Sequence, residues 1–163
     1  MTPTASNHPG WLATAVADER VHTRYDALVH KTGDGCWYWT GAISGRGHGR
    51  FWIARDRVIV AHRFAYAITH GAEAIQQAPV IAHAFNNTLR QRVDDAHAHA
   101  STAAANTQEW ARRRSAWAGP MADPAGAADR ARFIRDGLRA GRDLDELLDQ
   151  RRSVLEPGQL PLW

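Results

Sequence analysis

Between Val80 and Arg114 the sequence changes its hydrophobic period twice. VIAH (80–83) and HAHAS (97–101) read as two short strands on either side of the polar loop AFNNTLRQRVDDA (84–96). TAAANTQEWARRR (102–114) follows at once as a helix. Thr102 suits the N-cap position, and the alanines behind it favour a first helical turn. The order strand, loop, strand, helix places His83 at the end of one strand, His97 at the start of its partner and Asn106 in the opening turns of the helix. Pairing the strands and packing the helix across them would bring the three side chains together.

The flanking sequence supplies an α+β frame. After a lead broken by Pro3, Asn7, Pro9 and Gly10, the spacing of Trp11, Leu12, Val16, Val21, Tyr25 and Leu28 predicts a helix over 11–31, ended by KTGDG (31–35). CWYWTG (36–41), RFWIA (50–54) and DRVIVA (56–61) then read as a small antiparallel meander, with the glycine-rich SGRGHG (44–49) as one turn and Arg55-Asp56 as the other. Trp37, Trp39 and Trp52 are expected to pack it, and Trp110 to fix the later helix to it. HRFAYAITHG (62–71) is a helix stopped by Gly71, and EAIQQAP (73–79) a polar linker.

Beyond Gly119, a linker (119–129) leads to an amphipathic helix over 130–141 carrying Phe133, Ile134 and Leu138. Asp143 with Glu146 forms a capping box for a second helix over 144–155, closed by Pro157. A helical pair joined at Gly141 suits a packing hairpin or a DNA-reading helix-turn-helix. The division expected is an N-terminal tail and helix (1–32), a central domain (33–118) and a C-terminal helical extension (119–163).

Composition narrows the class. Cys36 is the single cysteine in 163 residues, which excludes an internal disulfide framework and a four-cysteine zinc site. Hydrophobic residues at 44% against 23% charged exclude wholesale disorder. No apolar run approaches the ~20 residues that span a bilayer, and MTPTASNHPGW lacks the build of a signal peptide, so a cytoplasmic protein is expected. Of 20 Lys+Arg only Lys31 is lysine. Arginine offers planar bidentate donors to phosphate and base edges, although an excess of alanine and arginine also follows from GC-rich coding.

Two histidines and an amide at one place suit metal-assisted phosphodiester cleavage, in which a neutral imidazole activates water and a divalent cation stabilises the leaving oxygen. The run GCWYWTG, GRGHGRFWI, VIVAHRFAYAITHG, VIAHAFNN and DDAHAHASTAAANTQEWARRR resembles the HNH endonucleases of phages and actinobacteria over roughly residues 33–114. The resemblance implies a ββα-metal core, DNA as partner and Mg²⁺ or a similar divalent cation as cofactor. It implies His83 as the general base, His97 at the central HNH position and Asn106 as the metal ligand, with His62 in support. Arg90, Arg92, Arg112, Arg113 and Arg114 are expected to contact DNA phosphates, although a cation cluster at a helix C-terminus also answers the macrodipole.

The chain departs from the family's pattern in its loop. Phe85 and Arg90 stand where cysteines hold a structural zinc, Asn86 where the family has aspartate and Thr88 where it has proline. Cys36, His97 and His99 alone do not replace two lost thiolates, so no structural zinc is expected. Ala82 stands where many members place a metal-binding acid beside the base, leaving Asp94 and Asp95 as the nearby carboxylates. These departures keep a second reading open, a DNA-binding protein that retains the fold without efficient catalysis. A third is an interaction protein that docks a partner on its C-terminal helices.

Overall fold

The computed structural model describes residues 9–83, 87–95, 97–115 and 125–152. Its architecture is α+β, with helices around three small antiparallel sheets.

The helix expected over 11–31 is broken. Asp18 is extended (φ −91°, ψ 108°) and its carboxylate accepts the Arg20 N–H at 2.9 Å, capping a new helix. A short polar side chain offers the backbone this local bond in place of the next helical one. The segment becomes α1 (Pro9–Ala17), α2 (Glu19–Asp26) and a strand, β1 (Val29–Lys31). β1 pairs with β2 (Trp37–Trp39), Val29 opposite Trp39, across a turn in which Gly35 takes φ 82°.

The CWYWTG run therefore does not open the meander. That sheet is β3 (Ala42–Ile43), β4 (Gly49–Ala54) and β5 (Arg57–Val60) in sequential order. Successive β4 side chains take opposite faces, so Phe51 and Ile53 claim the interior while Arg50 and Trp52 face out. Trp52 is 49% exposed and does not pack the core as expected. Trp37 is half-buried with the Lys31 ammonium 4.5 Å over its ring, and Trp39 alone of the three is fully enclosed.

α3 (Ala61–His70) continues β5 without a loop and stops at Gly71, whose φ of 92° suits glycine. The stretch read as a linker holds a one-turn helix, α4 (Ala74–Gln77). β6 (Val80–His83) pairs with β7 (Ala98–Ser101), His83 opposite Ala98 and Ala82 opposite His99, and α5 (Ala103–Ser115) packs on β6. Thr102 caps α5 as expected, its Oγ1 accepting the Ala105 N–H at 3.1 Å. β7 starts one residue late, which leaves His97 outside the strand.

α6 (Gly126–Arg139) begins before its expected start and packs on α7 (Leu144–Arg152). Asp143 Oδ1 accepts the N–H groups of Asp145 and Glu146 and so caps α7. Pro157 lies outside the described residues.

The core centres on Tyr25, whose ring lies 5.5 Å from Trp39, 5.4 Å from Phe51 and 5.3 Å from Phe64, centroid to centroid. Leu12 and Ala15 of α1, Leu89 of the β6–β7 loop, and Ile134, Leu138 and Leu147 of the C-terminal pair belong to the same buried cluster. All three expected segments thus share one core. A smaller cluster of Ala78, Ile81 and Ala98, with Tyr66 against it, lies at the β6–β7 hairpin. Among the described residues no helix is long and apolar enough to cross a membrane.

Candidate functional site

His83 ends β6 and is 8% exposed. His62, in the first turn of α3, is 6% exposed and meets it edge-on, with ring centroids 4.3 Å apart and planes at 77°. His48, in the glycine-rich turn before β4, completes the group at 5.7 Å from His62 and 6.4 Å from His83. The fold explains the convergence. α3 leaves the end of β5 and packs on both β4 and β6, which sets its first turn beside both strands. Gly47, at φ 86°, makes the turn that presents His48, and Thr88 Oγ1 donates to the Gly47 carbonyl at 2.7 Å, tying that turn to the β6–β7 loop.

Burial disfavours the charged form of all three imidazoles. Burial, with the charge of His48 and Arg90 added, pushes His83 down to about 4. Burial first, then its histidine neighbours and Arg63, push His62 well below the ordinary imidazole value. Burial and Arg46 lower His48. A hydrogen bond between the His83 ring and the Arg90 backbone opposes the fall and fixes the ring. In a neutral imidazole so bonded at one nitrogen, the other carries the lone pair. Among the described residues, His62 Nδ1 and His99 Nδ1 are buried without a hydrogen-bond partner.

The β6–β7 loop is secured without cysteines. The Trp39 N–H donates to the Leu89 carbonyl at 2.8 Å and the Gln91 N–H to the Trp37 carbonyl at 3.0 Å, so the loop pairs with β2 about the Tyr38–Arg90 bridge. Leu89 and Gln91 are fully buried. Tyr25 Oη donates to Gln91 Oε1 at 2.7 Å, and Gln91 Nε2 donates to the Leu89 carbonyl at 2.9 Å, which satisfies the buried amide from two sides. Arg92 donates to the Gly35 carbonyl at 2.9 Å and to Asp94 at 2.7 Å, clipping the loop to the β1–β2 turn. Phe85 and Asn86 lie outside the described residues.

The expected site residues part company here. His97 Nδ1 bonds Asp94 Oδ1 at 2.6 Å, while the charges that bear on His83 are those of His48, Arg90 and His99. Burial pushes the Asp94 carboxyl up, but its hydrogen bonds with His97 and Arg92 outweigh that and hold it below the ordinary value. Asn106 is half-buried in the first turn of α5, its N–H donating to the Thr102 carbonyl. Arg90 is half-buried beside Tyr38 and Cys36, and Arg112 is exposed. The side chains of Trp110, Arg113 and Arg114 lie outside the described residues. His48 was not anticipated. Its signal in the sequence is the GHG turn, which reads as a turn alone; the packing of α3 on β4 and β6 makes it part of the cluster.

Among the described residues no three His, Cys, Asp or Glu side chains converge as an ion's ligands. A hard cation such as Mg²⁺ needs few: it keeps several waters and takes one or two protein oxygens together with substrate phosphate. No family model, curated protein or solved structure matches this chain.

Proposed function

We propose that the protein is a metal-dependent endonuclease of the HNH type that hydrolyses DNA phosphodiester bonds. The observation that carries this reading is His83, a neutral imidazole at a strand end, hydrogen-bonded to the Arg90 backbone and packed edge-on against His62. The hydrogen bond orients the ring, and the remaining ring nitrogen takes the proton of an attacking water. Burial makes that nitrogen a weak base in the free protein. A bound phosphodiester's negative charge favours the protonated ring and raises its basicity when substrate is present. Asn106 would hold the divalent cation, which supplies charge stabilisation at the leaving oxygen. Arg112 on the exposed side of α5 suits a phosphate contact.

His83 is 8% exposed, has Ala82 in place of an acid, and sits beside a loop held by polar and backbone bonds. These facts favour, as the second reading, a DNA-binding protein that has kept the fold without efficient cleavage. Plasmid nicking with Mg²⁺ or Mn²⁺ separates the two. The endonuclease reading expects metal-dependent nicking that His83→Ala abolishes and Asn106→Ala weakens. Nicking equal in wild type and His83→Ala overturns it, and salt-sensitive DNA binding without nicking in either protein establishes the second reading.

A further inference from the structure

The outer face of β4 and β5 carries what the histidine cluster lacks, exposed positive charge around an exposed aromatic ring. Trp52 is 49% exposed and stands opposite Val58, itself 38% exposed, on the adjacent strand. An open cavity of about 450 Å³ lies against it, lined by Arg24, Arg50 and Arg139 and by no acidic residue. Arg24 Nη2 donates to the Ile53 carbonyl at 2.7 Å and Arg139 Nε to the Thr40 carbonyl at 2.6 Å. Those bonds fix the direction of two guanidinium groups without neutralising them. Among the described residues none of the three arginines forms an ion pair.

We propose that this face binds single-stranded nucleic acid, stacking an unpaired base on the Trp52 indole while Arg24, Arg50 and Arg139 meet the strand's phosphates. Charge decides the occupant. A second copy of the chain would set arginines against arginines, whereas a polyanion with flat apolar bases complements both parts of the surface. A base inside a duplex has no free face to offer, so the face selects unpaired strands. The proposal stands apart from hydrolysis at His83, and it can be tested in a chain unable to cleave.

Fluorescence anisotropy of the full-length His83→Ala protein with labelled oligothymidylate, oligouridylate and a duplex of equal length provides the test. Single strands are expected to bind more tightly than the duplex, and the two single-stranded probes tell DNA from RNA preference. Adding Trp52→Ala should weaken single-strand binding about tenfold, and Trp52→Phe should restore most of it. Arg50→Gln should lower the salt dependence by about one counterion. Trp52 lies outside the core, and Trp52→Phe keeps an aromatic ring in its cross-strand pair with Val58, so thermal unfolding of that variant should stay close to wild type. Equal binding with and without Trp52, tighter binding of the duplex, or dimerisation that Trp52→Ala abolishes would each overturn the proposal.

Discussion

His83 makes the stability of the protein depend on pH between neutrality and about 5, where most carboxylates are already ionised. Its folded value is about 4, against an ordinary value near 6.5. Between those values the unfolded chain binds a proton that the folded chain refuses, so stability falls as pH drops from neutrality toward 4 and is flat above the unfolded value. The 2.5-unit depression (6.5 less 4) corresponds to about 3 kcal/mol once both forms are protonated. Some two-thirds of that, about 2 kcal/mol, is already lost at pH 5, where the unfolded imidazole is almost fully charged and the native one still mostly neutral. His62 and His48 are depressed in the same direction and steepen the fall. Urea unfolding of wild type and His83→Gln at pH 7.5 and pH 5 isolates the His83 share, because glutamine can still donate to the Arg90 backbone but does not titrate. The wild type should lose about 2 kcal/mol more than the variant between the two pH values. Equal losses would show that His83 is solvated in the native state, and the buried neutral imidazole would have to be abandoned.

Two further perturbations test the frame around the site. Tyr25→Phe removes the donor to Gln91 Oε1 and should cost about 1–3 kcal/mol, since the amide is fully buried; a change in urea midpoint too small to measure would mean the loop does not depend on that bond. Gly49→Ala would set a Cβ against the Trp39 indole and 2.9 Å from the Ala61 Cβ, where neither rigid neighbour can yield, and should cost about 1–3 kcal/mol. Gly33→Ala meets nothing within 4 Å and should melt like wild type; if both variants melt alike, the close approach of β4 to Trp39 is wrong.

What the sequence made legible follows from the range of the signals. The β6–β7–α5 unit was readable because its evidence is local: two period-2 runs, and a threonine in front of alanines. Asp18 carries an equally local signal, the N-cap preference of aspartate, but the apolar spacing across 11–31 runs straight through it, and the break shows only in the pairing of Val29 with Trp39. Trp52 was misplaced for another reason. Alternation says that Phe51 and Trp52 take opposite faces, but not which face is inner, and a tryptophan is core by default. Only the packing of Phe51 against Tyr25 and Phe64 decides it.

The candidate site was less legible because its parts are distant in sequence and share no period. His48, His62 and His83 come from a turn, a helix start and a strand end, and only the packing of α3 on β4 and β6 brings them together. The loop beside His83 shows the same limit. Judged against the HNH resemblance, a loop without cysteines lacks the zinc staple that the resemblance implies. In the fold, Leu89 and Gln91 join the edge of β2, and Tyr25 caps the buried amide from α2, 66 residues away in sequence. A metal would cross-link such a loop through two thiolates. Here backbone pairing and the side-chain hydrogen bonds of Tyr25, Gln91, Arg92 and Thr88 hold the Arg90 backbone in position, and that backbone holds the His83 ring. The absence of cysteines therefore does not argue against an ordered His83 ring: its orientation depends on β2 and Tyr25, and changes to either should disturb it before changes to Cys36 do.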